Sequence, residues 1–164
     1  KKELFVSGNS EPKFEFPTDR EVTITRIFDA PRELVFKTST DPDLIPLWWG
    51  PRRYTTTVEK MDVRPGGVWR FIQRDQEGNE YAFNGVYQEI VPTMLEVHTF
   101  EFEGMPGHVM TERSVFEDHD GKTKLQVTDQ FQTVEDRDGM FISGMKEGAT
   151  ESMNRLEEIL LRKK

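Results

Sequence analysis

Between Asp138 and Lys164 apolar residues recur every three or four positions. Set on a helix at about 100° per residue, Phe141, Ile142, Met145, Ala149, Met153, Leu156, Ile159 and Leu160 share one broad arc. Glu147, Asn154, Glu157 and Glu158 fall opposite. The spacing predicts one long helix. Asp136 or Asp138 is placed to cap its start, and Arg162, Lys163 and Lys164 lie at the negative end of its dipole. Such a stripe needs a surface to bury against. The chain that precedes it supplies one, because its apolar pattern has a period of two.

Glu21 to Phe28 alternates Val22, Ile24 and Arg26 with Thr23, Thr25 and Ile27, which predicts a strand with one buried face. Asp29, Pro31, Leu34 and Val35 then open a short helix ending near Thr38. Asp41-Pro42 opens a second, closed by Gly50-Pro51. Helices this short need packing partners. From Tyr54 the period returns to two. TTTVEKMDV, VWRFIQR, EYAFNGVYQEIV, MLEVHTFEFE, VMTERSVFED and KTKLQVTDQF read as six strands separated by short turns. Trp69, Phe71 and Gln73 share a face, as do Tyr81, Phe83, Gly85, Tyr87 and Glu89, and as do Leu125, Val127 and Phe131. Short turns make consecutive strands antiparallel neighbours. The expected class is therefore α+β, an antiparallel sheet of six to seven strands with two short helices after the first strand and a long helix at the end. Residues 1–19 read as an arm with short strands at Leu4–Val6 and Lys13–Phe16. Residues 20–164 read as a single domain, and 164 residues suffice for a real core.

Composition narrows the function classes. Apolar residues are only 35% of the chain, but twelve Phe and three Trp bury a large area each. A net charge of −8 argues against nucleic-acid and anionic-membrane partners. No apolar run is long enough to span a bilayer and no signal-type start is visible, so a cytoplasmic location is expected. The absence of cysteine removes disulfides and thiolate chemistry. His98, His108 and His119 lack metal-ligand spacing, and no phosphate loop, dinucleotide fingerprint or nucleophile elbow occurs. Arg64-Pro65-Gly66-Gly67 is a turn. No cofactor or metal is expected.

Five stretches, TRIFDAPRELVFKTSTDPDLIPLWWGP, VRPGGVWRFIQRDQEG, FNGVYQEIVP, EDHDGKTKLQV and SGMKEGATESMNRLEEIL, together resemble the helix-grip superfamily of START and birch-pollen-allergen proteins. Within it they are most similar to the branch homologous to the activator of the 90-kDa heat-shock protein ATPase. The resemblance covers roughly residues 20 to 162. It implies a curved sheet gripping the C-terminal helix around a cavity. The superfamily includes lipid carriers, hormone receptors, polyketide cyclases and co-chaperones, so fold alone does not fix function.

Trp69, Phe71, Phe83 and Tyr87 from two adjoining strands, with Phe141, Met145 and Ala149 from the helix, are candidate lining for that cavity; packed core is the competing reading. Gly85 removes a side chain from the same face, which leaves room. Gly144 and Gly148 imply a kink or a close approach in the helix. Trp48 and its neighbour Trp49 read as packing or as a gate at the mouth. Glu89, Arg113 and Asp129 fall on apolar-patterned faces and read as an internal ion pair or as polar anchors for a ligand. No catalytic pair is apparent. The expected function is binding of a small, largely apolar ligand. The alternatives are a chaperone-regulating interaction module and a cyclase- or dehydratase-like enzyme.

Overall fold

The alternating segments become one eight-stranded antiparallel sheet in the computed structural model, which describes residues 11–163. The strands are β1 (Lys13–Glu15), β2 (Glu21–Phe28), β3 (Thr55–Met61), β4 (Val68–Arg74), β5 (Glu80–Val91), β6 (Leu95–Phe102), β7 (Met110–His119) and β8 (Lys122–Gln130). Their spatial order is β1-β2-β8-β7-β6-β5-β4-β3. The count exceeds the expected six to seven because β1 pairs with β2, Phe14 opposite Ile24. The strand expected at residues 4–6 lies outside the described residues.

Helices α1 (Arg32–Thr40) and α2 (Ile45–Trp48) follow β2. The inner face of the sheet carries Val22, Ile24 and Phe28 of β2, Met110 and Phe116 of β7, and Leu125 and Val127 of β8. They join Val35 and Phe36 of α1 and Met153, Leu156 and Leu160 of the last helix in one buried cluster. A second cluster, Ile45, Trp69, Phe71 and Tyr87, lies under α2. Trp48 touches both.

The single long helix is divided. α3 spans Val134–Ile142 and α4 spans Met145–Lys163. Between them Gly144 has φ +104, a conformation other residues rarely adopt. The cap of α3 is Thr133, whose hydroxyl accepts the Asp136 N–H at 3.0 Å, rather than Asp136 or Asp138. The division takes Phe141 off the stripe. Its ring meets Phe14 and Phe16 at centroid distances of 6.4 and 5.2 Å, and Ile142 is 86% exposed. Periodicity does not register the break, because both halves keep helical spacing.

α4 does more than cover the sheet. The Arg155 guanidinium donates to the carbonyls of Pro46 and Gly50 at 3.3 and 2.7 Å. The Ser152 hydroxyl donates to the Trp48 carbonyl at 3.0 Å and accepts the Gly50 N–H at 3.2 Å. These bonds satisfy carbonyls in and just beyond α2, a helix too short to hold itself together. The polar side of α4 also reaches inward. Buried Arg26 of β2 donates to Asn154 and Glu157, each at 2.7 Å.

The helix break is directly testable. Gly144→Ala should destabilise the protein by about 1–2 kcal/mol, the cost of forcing a side chain into the left-handed region. Gly139→Ala, inside α3 with open space around its Cβ, should be neutral or stabilising by up to about 1 kcal/mol. Urea midpoints measure both. A continuous helix through 144 requires both substitutions to stabilise.

Candidate functional site

Strand register brings four ionisable side chains into one network on the inner face. Tyr87 of β5 pairs with His98 of β6, His98 with Glu112 of β7, Glu112 with Asp129 of β8, and Asp129 with Val22 of β2. Directly paired residues share a face, so this row runs across the middle of the sheet. Glu96 lies two residues before His98 and points the same way.

From His98 to Asp129 the row is hydrogen-bonded, and Glu96 joins it at His98. His98 Nδ1 sits 2.5 Å from Glu96 Oε2, and His98 Nε2 sits 3.3 Å from Glu112 Oε1. Burial opposes a charged imidazole, yet Glu96 and then Glu112 outweigh it, and the His98 pKa rises to about 10. Burial also works against a charge on Glu112, but His98 and a hydrogen bond from Asp129 bring its pKa down to about 2. Asp129 moves the other way: burial first, then the Glu112 charge, push its pKa well above the usual carboxylate range. Glu112 is the ionised member of the pair because it is the one that faces the imidazolium. Asp129 keeps its proton and donates it to Glu112. The other Asp129 oxygen, Oδ1, is buried without a partner among the described residues. The Trp48 indole N–H is in the same position.

Aromatic rings flank the row. Trp69 and Tyr87 meet the His98 ring edge-on at 5.6 and 5.9 Å. Trp49 drops from the end of α2 onto Phe71 and Phe83 at 5.1 and 5.3 Å. Phe83, Phe100, Met145 and Ala149 are half-buried although all face inward. Glu112 keeps 28% of its side chain exposed, against 14% for His98 beside it. The inner face at the centre of the sheet is therefore not fully closed to solvent.

Trp69, Phe71, Tyr87 and Asp129 lie buried on the inner face, with Trp48 and Phe83 packed beside them and Met145 and Ala149 against the first cluster. Phe141 is on the β1 side, against Phe14 and Phe16. Glu89 and Arg113 are not on the inner face. Both are exposed, flanking Val97 on the outer one. For Glu89 the cause is a β-bulge after Tyr87, which turns Ile90 inward in its place. For Arg113 the register is one residue off, so Glu112 takes the inner position. The room left by Gly85 is occupied. A Cβ there would lie 1.8 Å from the Thr99 carbonyl oxygen and 2.5 Å from Trp69 Nε1. The indole crosses β5 and donates to that carbonyl at 3.1 Å, while the Thr99 hydroxyl accepts the Val86 N–H. Glu96 and Glu112 were not among the residues singled out from the sequence, and His98 was weighed there only as a metal ligand. The available signal was alternation, which puts Glu96 and His98 on the face of Phe100 and Phe102.

Among the described residues no group of three or more His, Asp or Glu is placed to hold a metal ion, and no helix is long and apolar enough to cross a membrane. A shallow, open hollow beside Glu15, Phe16, Pro17, Thr23 and Gln126 lies on the outer face, away from the ionisable row.

Residues 29–161 match the family model of Activator of Hsp90 ATPase homolog 1-like proteins. No curated protein matches the chain. Solved structures share the fold. A crystal structure of a Rhodobacter sphaeroides protein has a TM-score of 0.87 at 22% identity, covering 93% of this chain and 99% of that one. A solution structure of an Arthrobacter aurescens protein has 0.85 at 20%, covering 92% and 91%. A crystal structure of a Mycobacterium smegmatis protein has 0.81 at 24%, covering 90% and 95%. At these identities the likeness concerns the fold alone.

The row sets a pH dependence. The folded pKa of His98 lies above its value of 6.5 in an unfolded chain, so its stabilisation is complete below about pH 6.5 and is lost as pH rises towards 10. Asp129 adds the same sign, because the folded state holds a proton that the unfolded state releases. The urea midpoint should fall between pH 7 and 10. In His98→Gln that fall should be shallower, and at pH 7 the variant should be less stable by about 3 kcal/mol, the cost of leaving buried carboxylates unpaired. Parallel pH profiles for the two proteins would exclude the assignment.

Proposed function

Because the chain belongs to the family of Activator of Hsp90 ATPase homolog 1-like proteins, a helix-grip fold, we propose that it binds a small, largely apolar molecule in the crevice between the inner face of the sheet and α4. The observation that carries this reading is the exposure of Glu112. A carboxylate at the middle of a sheet's covered face retains 28% of its side chain surface, and Phe83, Phe100, Met145 and Ala149 of the neighbouring clusters are only half-buried. A fully packed interior excludes water from such a position. Apolar walls with a few convergent polar groups are the usual composition of a small-molecule site. Trp48 Nε1 and Asp129 Oδ1 add two buried polar atoms with unused hydrogen-bonding capacity. Met145 supplies a flexible wall that adapts to ligand shape. Access lies at Trp48 and Trp49, whose segment is held to α4 by Ser152 and Arg155.

An enzyme of the cyclase or dehydratase kind uses the same crevice, and His98 between two carboxylates is the observation that favours it. Its weakness is that both ring nitrogens of His98 already face carboxylates. At a pKa of about 10 the imidazole also keeps its proton at neutral pH, so it is a poor general base. The chaperone-regulating reading draws its support from the family's description and uses an outer surface instead.

Titration with the uncharged fluorophore N-phenylnaphthylamine tests the crevice. Wild type should bind it, and Ala149→Phe should weaken binding by at least about tenfold with little change in urea midpoint, since a ring placed in open space escapes the usual overpacking cost of about 1–3 kcal/mol. No uptake by wild type, together with early unfolding of Ala149→Phe, makes the crevice a packed core and sinks the proposal.

A further inference from the structure

We infer that the ligand of this crevice carries a protonated amine on its apolar body, and that the Asp129 carboxylate receives it. The inference rests on the crevice reading above and adds the chemical class of the ligand.

The network is short of one cation. Glu96, Glu112 and Asp129 are three carboxylic acids joined to a single imidazole. His98 is shared between Glu96 and Glu112, which leaves Asp129 without an ion-pair partner among the described residues. The cation nearest along the same face of β2, Arg26, is committed to Asn154 and Glu157 of α4. Val22, the strand partner of Asp129, lies in the apolar cluster to which α4 contributes Met145, Ala149 and Met153. Tyr87, in the same row on β5, is uncharged and held so by burial. Asp129 is 2% exposed, and its Oδ1 has no hydrogen-bond partner among the described residues. A buried carboxyl in this position answers the shortage by keeping its proton. An ammonium group entering beside Glu112 removes the reason for doing so.

The exchange balances. The ligand enters as its ammonium form and stays so; Asp129 ionises, and its proton leaves to solvent. The ammonium then donates to Asp129 Oδ1, in a charge-assisted bond stronger than any a neutral hydroxyl makes. The surrounding rings favour the same charge. Trp69, Tyr87 and Phe100 line the neighbouring wall, and the faces of aromatic rings attract cations. A carboxylate ligand meets the reverse conditions, facing Glu112 and Glu96 with only His98 to oppose them.

Competition against bound N-phenylnaphthylamine, using phenylbutylamine and phenylbutanol as a matched pair, tests the inference. At pH 7 wild type should take the amine at least about tenfold more tightly than the alcohol. Calorimetry in two buffers of different ionisation heat should show close to one proton released per amine bound and none per alcohol. Asp129→Asn keeps the donor to Glu112 but cannot ionise, so its preference should fall towards unity. Glu89→Gln, on the outer face, should leave the preference unchanged. Equal affinity of amine and alcohol in wild type, absence of proton release, or a preference that survives Asp129→Asn overturns the inference while leaving the apolar crevice standing. Failure of wild type to bind N-phenylnaphthylamine at all removes both. The proton count is read on wild type, so the test does not depend on the variant folding.

Discussion

Eight strands spaced about 4.8 Å apart form a sheet about 34 Å wide, and an α-helix with its side chains is only about 10–12 Å across. One helix cannot cover such a face. The arrangement of this protein follows from that mismatch. The sheet brings β2, β7 and β8 under α4, where Val22, Ile24, Val127, Met153 and Leu156 share a cluster. The other half is roofed by α2 and the tryptophans at its end, held in place by Arg155 and Ser152. Where the two covers meet, over β6 and β7, the face carries His98 and Glu112 instead of aliphatic side chains. The seam between the covers is where an inward carboxylate keeps contact with water.

Elements whose pattern is set by neighbours in sequence could be read from the chain. Both short helices and all six later strands were, because alternation and the Asp-Pro and Gly-Pro boundaries are local signals. Features created by one backbone dihedral or one extra residue were not. Gly144 at positive φ splits a stripe whose spacing stays helical on both sides. A bulge after Tyr87 exchanges Glu89 for Ile90, and a register one residue off exchanges Arg113 for Glu112. Each is a small change in the chain with a full change of face, since strand side chains alternate. Asp129 was legible because β8 carries no such irregularity between Leu125 and Gln130.

Trp69 illustrates why side-chain arithmetic on a strand is insufficient. An empty position at Gly85 reads as space for a ligand. The position is empty because the indole passes over it to reach the Thr99 carbonyl. That bond replaces a main-chain rung, and the Thr99 hydroxyl takes the Val86 N–H left over. The substitution keeps the polar groups paired while carrying a large ring across β5 towards His98. Gly85 is thus tied to the ionisable row through Trp69.

Four joined ionisable groups on the covered face are an expensive way to fill a sheet. Hydrophobic residues of the same volume, packed as well, would generally serve stability equally or better. The stabilising reading also leaves details unexplained. A row built only for stability has no use for Glu112 in contact with water, nor for an unpaired Oδ1 on Asp129 beside it. Both features acquire a purpose if a polar group arrives from outside. The side that must supply positive charge is then fixed by the count: three acids, one imidazolium, and an arginine already engaged with α4. The same count explains why Asp129 holds its proton. On the proposed reading the buried row and the half-covered aromatic wall form one site, with its charge set by the row and its shape by the rings.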